Sequence, residues 1–515
     1  MALPELILEF LQHSWTALLL GCLIARLLIN KYGGNLNSIP GPFIAGFSNL
    51  WRVLNTLLFN PAETQISLQR KHNSRFVRIG PRVVSISDPN LIPTIYGIKS
   101  DFKKTKFYSI AELWYEGRCT PGLFESRDEA YHAQIRKPIV NAYSMSTILE
   151  VEPAVNSTVA LLISKLDQLA ASGRPLNLGL WLYRFAFDVI GEILFSKKIG
   201  FLESEVDVES IMIGIRGFTK YFQLAGQIPI VDRFLLKNPL MLKYGPTNPI
   251  VTFTLNRIRD RVACRTNEGQ IERDFLERCF EAQAKYPEAV TDRMIMLYNF
   301  DNIAAGSDTT ALALTAVMYY LLKNPETLQK AVEELDCAEK ECRLSEYITW
   351  NEASKLPYLQ ACIKEAIRKL VLTITGMHPP IGLILERYVP SGGTFLEGHY
   401  FPEGTTVGVN PWVTARNKEV YGEDCDSFRP ERWLEESEER LAAMERANFA
   451  FGYGKRGCLG KNIAMLEISK LVPQLLRRYT FSLARPDLKW KVRGGWMVRQ
   501  DGVEVALRKR IQGPD

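Results

Sequence analysis

The chain has 515 residues, 46% of them hydrophobic, and a formal net charge of only +6. A chain of this size can bury a large core, and so small a charge gives no electrostatic case for binding nucleic acid. Its 9 cysteines are scattered without a CxxC pair, which argues against a disulfide framework and favours a reducing compartment. From residue 60 onward the sequence has no repeat and no linker that would divide it.

An apolar run near the N-terminus, Trp15 to Ile29, is broken only by the charge of Arg26. With Leu6 to Leu11 included, the run approaches the length that spans a bilayer. Unlike a secretory signal peptide, it has no Lys or Arg before Arg26, and Arg26 and Lys31 on its far side place the rest of the chain in the cytosol. A soluble amphipathic helix is the alternative, because Arg26 interrupts the run.

A stiff segment, Ile39-Pro-Gly-Pro42, follows the apolar run and predicts a hinge. We therefore expect an N-terminal membrane anchor (1–31), a proline- and glycine-containing hinge (32–45) and one large domain (46–515).

Helical periodicity dominates the large domain and predicts a mainly α fold with small β-sheets. The predicted strands are short and come in pairs. One pair is Phe76–Ile79 with Val83–Ile86, and the other is Trp496–Arg499 with Val503–Leu507 across the turn Asp501-Gly502. The clearest predicted helices are Ser157–Ala171, Trp181–Phe195, Thr309–Leu322, Pro325–Leu335, Tyr358–Leu370 and Asn462–Arg478.

Polar residues interrupt the middle of a long apolar stretch, Leu297 to Leu322. Buried polar groups need a reason to be there. Gly306 weakens the helical ladder and the hydroxyl of Thr309 can bond back to a carbonyl, so a local bulge in one buried helix is expected. The alternative is a capping cluster, Ser307 to Thr310, between two shorter helices.

Near the C-terminus, Phe451-Gly-Tyr-Gly-Lys-Arg456-Gly-Cys458-Leu-Gly460 brings one cysteine to the start of a predicted helix. The glycines let a flat group approach the backbone, and the positive end of the helix favours a thiolate. Two other interpretations remain at this point. Gly452, Gly454 and Gly457 also fit a dinucleotide fingerprint, although no acidic residue follows at the expected distance, and a lone cysteine is often a buried thiol.

The loop resembles, position for position, the haem-binding loop of the cytochrome P-450 family, Phe-x-x-Gly-x-Arg-x-Cys-x-Gly. The resemblance extends from about Ile39 to the end and implies that family's fold, a helical prism around a haem. It implies that Cys458 is the axial ligand of the haem iron. The implied cofactor-binding residues also include Phe451 and three arginines for the haem propionates, Arg456, Arg136 and Arg387. The family usually has tryptophan where this chain has His132, so the role of His132 stays open.

Two further segments resemble the same family. The stretch around Gly306 matches its oxygen-activating helix and implies that Asp308 and Thr309 deliver protons. Glu365 and Arg368, an ordinary i,i+3 pair when taken alone, match its buried structural ion cluster. The second arginine of that cluster is implied to be Arg432, in Phe428-Arg-Pro-Glu-Arg432-Trp433.

The resemblance implies a membrane-bound haem-thiolate monooxygenase that inserts one oxygen atom from O₂ into an apolar organic substrate, by hydroxylation, epoxidation or O-demethylation. Its cofactor would be haem b, and its electrons would come from NADPH through an NADPH-cytochrome reductase that docks at Lys137, Lys455 and Lys461. The implied location is the endoplasmic reticulum membrane, with a single span and a cytosolic catalytic domain. The sequence looks like fungal secondary-metabolism members of the pisatin demethylase type. Alternatives are a haem-thiolate isomerase or dehydratase, which usually lacks the Asp308–Thr309 pair, and a haem-binding sensor.

Two expectations concern the substrate side. By position, the pocket walls should come from segments 107–124, 221–230, 300–305, 380–384 and 496–497, whose apolar and aromatic residues suit a terpenoid, polyketide or prenylated alkaloid without choosing among them. Residues 369–376 have no counterpart in the family pattern. Their β-branched residues and Gly376 predict a loop or distorted turn, which is either a native insertion or a misplaced splice junction.

Overall fold

The computed structural model describes residues 2–245, 248–266, 273–369, 382–487, 492–493, 495–496, 499–500 and 503–510. The segment without a family counterpart, apart from Lys369, and part of the predicted pocket wall at 380–384 lie outside these ranges.

Helices make up most of the described chain, in agreement with the predicted fold class. In chain order they are α1 (Ala2–Tyr32), α2 (Leu50–Leu58), α3 (Pro61–His72), α4 (Ile92–Tyr96), α5 (Glu129–Arg136), α6 (Met145–Glu150), α7 (Glu152–Ser172), α8 (Leu178–Phe195), α9 (Phe201–Ser204), α10 (Ile211–Ala225), α11 (Pro239–Tyr244), α12 (Pro249–Thr266), α13 (Phe275–Lys285), α14 (Asp292–Lys323), α15 (Pro325–Lys340), α16 (Trp350–Ala353), α17 (Pro357–Lys369), α18 (Pro411–Thr414), α19 (Lys418–Tyr421), α20 (Arg432–Glu435), α21 (Glu438–Ala447) and α22 (Lys461–Arg478).

Helix α14 runs through the centre of the molecule and is the axis of its main core. It begins where the Thr291 side chain accepts a hydrogen bond from the backbone N–H of Met294, at 3.3 Å. Its apolar residues are buried against α8, α12, α17 and α22. The helix is continuous and α-helical through Gly306, so neither the expected bulge nor the division into two shorter helices occurs.

The strands are short and form small sheets around this helical core. In chain order they are β1 (Phe76–Gly80), β2 (Val83–Ile86), β3 (Lys103–Lys104), β4 (Leu113–Tyr115), β5 (Arg118–Thr120), β6 (Leu176–Asn177), β7 (Arg387–Tyr388), β8 (Thr394–Leu396), β9 (His399–Phe401), β10 (Thr406–Val409), β11 (Tyr479–Leu483), β12 (Val492–Arg493), β13 (Arg499–Gln500) and β14 (Glu504–Lys509). Among the described strands the largest sheet has the order β1-β2-β10-β7-β3, and another has the order β11-β14-β6.

One of the two predicted strand pairs forms and the other does not. Strands β1 and β2 pair antiparallel, as predicted, with Phe76 opposite Ile86. The predicted hairpin across Asp501-Gly502 is wrong, because β14 pairs with β11 and β13 pairs with β12. A turn signal between two apolar segments predicted local pairing, but β14 packs its buried face, Val505 and Leu507, on the main core beside β11.

Helix α1 projects an apolar surface away from the rest of the molecule. Its segment Trp15–Tyr32 has a mean hydropathy of 1.3 and none of it is buried, so by length and composition it is able to cross a membrane. The end of α1 is fixed by Arg78 of β1, whose guanidinium donates to the carbonyl oxygens of Lys31 at 3.0 Å and Asn30 at 2.9 Å. A cation suits this end of a helix because the unpaired carbonyls carry its negative dipole.

Candidate active site

The loop that carries Cys458 is shaped by its glycines. Gly452 and Gly454 have φ of +68° and +62°, a backbone conformation that residues other than glycine rarely adopt. A Cβ atom on Gly454 would also lie 2.2 Å from the carbonyl oxygen of Tyr96, so the loop packs closely on α4. The backbone N–H of Cys458 closes the loop by donating to the carbonyl oxygen of Phe451 at 2.8 Å.

The segment before this loop excludes the dinucleotide interpretation. That interpretation requires a strand to lead into the glycines. Here α21 and the 3₁₀ turn Phe449–Phe451 precede them instead.

The Cys458 side chain sits at the start of α22 and is exposed. Burial nevertheless raises the pKa of the thiol, while the backbone amides of Gly460 and Lys461 oppose this effect. The sulfur is therefore accessible although much protein surrounds it. The buried inert thiol considered from the sequence does not describe this side chain, since an accessible sulfur can meet a bound group.

Three buried cations gather beside the loop. The side chain of Arg456 is only 3% exposed and pairs with Glu129. Arg387 is buried and stacks on Tyr96, with its guanidinium 4.9 Å from the ring centroid. Burial lowers the pKa of Lys104 well below its ordinary value, and the positive charges of Arg387 and Arg456 lower it further. Glu125 and Glu129 partly offset these positive charges.

One atom of this cluster shows where an anion would fit. Within the described ranges, Nη1 of Arg456 is buried and has no hydrogen-bond partner. A buried guanidinium N–H without an acceptor is costly, and carboxylates are well matched to it. The residues present thus fit a haem, whose propionates would meet these cations and whose iron would take the Cys458 thiolate.

Helix α5 contributes His132 and Arg136 to the same region. His132 is buried, and burial together with the charges of Arg456 and Lys104 lowers the pKa of its imidazole to about 3. It is therefore neutral and able to donate one N–H. Arg136, at the last turn of α5, is half-buried and lies near enough to act on the charge of His132.

The predicted proton-delivery pair lies in the middle of α14. Thr309 donates its hydroxyl to the carbonyl oxygen of Ala305 at 2.9 Å, and Asp308 is half-buried. Ala305 is exposed although it belongs to a core helix. This face of α14 is therefore accessible at Ala305.

Glu365, Arg368 and Arg432 do come together, and their side chains are at most 1% exposed. Arg368 forms a bidentate pair with Glu365 at 2.6 and 2.8 Å, and Nε of Arg432 lies 3.2 Å from the same carboxylate. Trp433 adds an indole N–H at 2.9 Å. These bonds tie α17 to the segment 415–433, which leads through α21 into the cysteine loop. Among the described contacts, none joins the cluster directly to that loop.

Aromatic residues from three of the predicted wall segments meet on the substrate side. Phe107 lies 4.7 Å from Phe222 and 5.2 Å from Trp496, measured between ring centroids. Phe124 and Tyr108 complete this group at 5.6 Å from each other. Met497 and residues 380–381 lie outside the described ranges.

Sequence reasoning missed four charged residues of this region: Lys104, Glu125, Glu129 and Asp301. Lys104 belongs to the basic run Lys103-Lys-Thr-Lys106, whose pattern is that of a solvated surface. The carboxylates of Glu125 and Asp301 both lie next to Gly122. A Cβ atom on this glycine would be 2.8 Å from Asp301 Oδ2 and 3.1 Å from Glu125 Oε1. Only tertiary packing shows that these groups are buried together.

Comparison with known proteins agrees with this site. The cytochrome P-450 family model matches residues 44–503. Cytochrome P-450 monooxygenase cicH of Emericella nidulans is 40% identical over 478 residues, which cover 92% of this chain and 94% of that protein. A cytochrome P-450 monooxygenase of Aspergillus terreus is 41% identical over 87% of this chain and 90% of its own length. Cytochrome P-450 monooxygenase AFLA_114810 of Aspergillus flavus is 37% identical over 96% of both chains. The chain therefore belongs to the cytochrome P-450 family, among its monooxygenases.

Proposed function

We propose that this chain is a membrane-anchored haem-thiolate monooxygenase of fungal secondary metabolism, related to the pisatin demethylase type. It transfers one atom of O₂ to an apolar organic substrate and reduces the other to water with two electrons and two protons. The product is a hydroxylated, epoxidised or O-demethylated molecule. NADPH supplies the electrons through a cytochrome reductase that approaches Lys137, Lys455 and Lys461.

The observation that carries this proposal is the accessible Cys458 thiol beside Arg456, whose buried Nη1 has no hydrogen-bond partner among the described residues. When bound, a haem b supplies the iron at which dioxygen is reduced. Cys458 would hold the iron, while Arg456, Arg387, Arg136 and Phe451 would hold and cover the macrocycle. Burial of Arg456 and Arg387 strengthens their attraction for the propionates, because the local dielectric is low.

Asp308 and Thr309 are the proposed proton-delivery residues. They lie near Ala305 on the accessible stretch of α14. A carboxyl group and a neighbouring hydroxyl group can relay a proton toward the bound dioxygen. This pair argues against an isomerase or dehydratase, which consumes no external protons or electrons. Glu365, Arg368 and Arg432 have a structural role, since they satisfy one another away from the accessible face.

Membrane attachment is supported by two apolar surfaces. The first is the exposed segment Trp15–Tyr32 of α1. The second lies on α2 and on the segment after α10, and these two helices pack together. Its most exposed residues are Leu58, Phe59, Phe234, Leu240 and Tyr244. Exposed apolar surface of this extent is characteristic of membrane or protein contact. We place the protein in the endoplasmic reticulum membrane, with its catalytic domain in the cytosol.

The test is oxygen incorporation by membranes that contain the full chain and a fungal NADPH-cytochrome reductase. They are incubated with NADPH and ¹⁸O₂ against terpenoids, polyketides and prenylated alkaloids. The proposal predicts a product that carries one labelled oxygen atom and forms only when NADPH is present. A product that forms without NADPH and without label would establish the isomerase or dehydratase instead.

A further inference from the structure

Glu129 occupies the first position of α5, directly after the capping residue Asp128, whose side chain accepts from the N–H of Tyr131 at 2.9 Å. An acidic residue is favoured in the first turn of a helix by the helix dipole. The Glu129 carboxylate does more than this, because it points at the loop that carries Cys458.

Both oxygens of Glu129 are engaged by that loop. Oε1 accepts from Arg456 Nη2 at 3.0 Å and from Nε at 3.2 Å, and Oε2 lies 3.3 Å from the same Nε. Oε2 also lies 3.4 Å from Nζ of Lys455. Glu129 is 20% exposed in its side chain, so the pair is partly shielded from water.

This pairing uses Nε and Nη2 of the Arg456 guanidinium, and Nη2 also donates to the carbonyl oxygen of Asp128 at 3.5 Å. The group is planar and rigid, so holding Nε and Nη2 also fixes the direction of Nη1. Nη1 is the buried atom that has no acceptor in the described part of the chain. Without the Glu129 carboxylate, only the 3.5 Å contact with the Asp128 carbonyl would hold the guanidinium, and its direction would be less fixed.

We propose that Glu129 is a positioning residue that holds Arg456 with Nη1 directed at a haem propionate, and that its charge lowers the reduction potential of the haem. This inference rests on the proposed function, since it requires a bound haem. A negative charge near the iron favours the ferric over the ferrous state, and the paired Arg456 moderates this effect. The carboxylate also joins Arg456 to Lys455, so one residue connects the haem side of the loop to its solvent side.

The test compares haem-loaded wild type with Glu129→Gln, Glu129→Asp and Arg456→Gln. The matched control is Glu152→Gln, because Glu152 is 15% exposed in its side chain and forms a comparable pair with Lys470 at 2.6 Å, away from the loop. Two quantities are measured: the ferric/ferrous midpoint potential, and the rate at which ferric haem is transferred to an excess of apomyoglobin.

We expect Glu129→Gln to raise the midpoint potential and Arg456→Gln to lower it, while both speed haem transfer about tenfold, the lower end of the effect of outer-shell partners. Glu129→Asp keeps the charge and should restore most of the potential. Glu152→Gln should change neither quantity. Because Glu129 acts through Arg456, adding Glu129→Gln to Arg456→Gln should not speed haem transfer further.

The inference is overturned if Glu129→Gln leaves the potential unchanged, or if the two substitutions have additive effects on haem transfer. If Arg456→Gln does not retain haem, the comparison of Glu129→Asp with Glu129→Gln decides, and equal potentials in these two variants overturn the inference. A wild-type protein that binds no haem would refute the proposed function itself, whereas failure of the Glu129 variants alone leaves that function standing.

Discussion

The hydroxyl of Thr309 donates to the carbonyl oxygen of Ala305, one turn earlier on α14, at 2.9 Å. The hydroxyl proton is therefore used within the helix, and the lone pairs of the oxygen are left to accept from a donor on the accessible face of α14. Proton delivery by Thr309 thus requires the hydroxyl to rotate away from Ala305 or to hold a water that donates in its place.

The first prediction concerns this hydroxyl. Thr309→Ala should retain substrate binding and haem reduction but divert electrons to hydrogen peroxide, because acid assistance of this type contributes about 10²–10⁴-fold. Product formed per NADPH oxidised is the measurement, made with a converted substrate. Thr309→Ser keeps the hydroxyl and is the control. An unchanged ratio in Thr309→Ala would remove Thr309 from the mechanism.

The second prediction concerns the buried ion cluster. Glu365→Gln leaves the charges of Arg368 and Arg432 without their carboxylate and should cost about 3–5 kcal/mol of stability. Glu445→Gln is the control, since Glu445 is 62% exposed and pairs with Lys364 on the surface, where such a pair contributes about 0–1 kcal/mol. Melting temperature and haem bound per protein are measured. Equal losses in the two variants would show that the cluster is no more important than a surface pair.

The third prediction follows from Glu125, which is 2% exposed. Burial raises the pKa of Glu125 from its ordinary value of 4.5 to about 7, opposed by the Gly122 amide and Lys104 and assisted by Glu112. Across from it on α14, the pKa of Asp301 is also raised by burial and by Glu125. Between pH 4.5 and about 7, the Glu125 carboxyl binds more protons in the folded protein than in the unfolded chain. The contribution of Glu125 to stability therefore falls as pH rises.

Glu125→Gln should remove this dependence. The melting temperature of this variant relative to wild type should therefore increase as pH rises from about 4.5 to about 7. The corresponding gain in its free energy of unfolding relative to wild type is up to about 3 kcal/mol. Glu423→Gln, at a side chain 85% exposed, should show no such trend. A difference from wild type that is constant across this range would mean that Glu125 is already ionised in the folded protein.

The fourth prediction concerns the attachment of α1. Arg78 is 2% exposed and donates to Lys31, Asn30 and Pro81 carbonyls at 2.7–3.0 Å. Arg78→Ala should open the end of α1 and make segment 32–45 about tenfold more sensitive to proteinase K in membranes. Arg82→Ala is the control, because Arg82 is exposed and bonds only the Glu403 carbonyl among the described partners. Equal cleavage in both variants would show that Arg78 does not hold the helix.

Much of the fold was predictable because its signals are local. Periodicity identified α8, α14 and α22, and the β1–β2 pair joins neighbouring segments across a short turn. The partner of β14 was not predictable, because β12 and β13 lie between it and β11 in sequence and the pairing depends on packing against the core. One buried helix was expected around Gly306, but the local bulge was wrong, since α14 accommodates the glycine and its polar neighbours without interruption.

The residues of the candidate site also fall into two groups, those that local motifs predicted and those that only the packing revealed. Motif residues such as Cys458, Arg456 and Glu365 were identifiable because their spacing is characteristic. Lys104 and Glu129 were not, since a lysine in a basic run and a glutamate at a helix start are ordinary surface residues in sequence. Their roles depend on burial beside the cysteine loop, which arises only when distant segments pack together.

The most direct measurement is the absorption spectrum of the reduced protein with carbon monoxide. A thiolate ligand gives ferrous haem a far red-shifted Soret band, and we expect this band in the wild type and in Cys119→Ser, a control at an exposed cysteine outside the loop. Cys458→His should retain haem and lose the shift. A wild type without the red-shifted band, or a Cys458→His variant that keeps it, would contradict the assignment of Cys458 as the haem ligand.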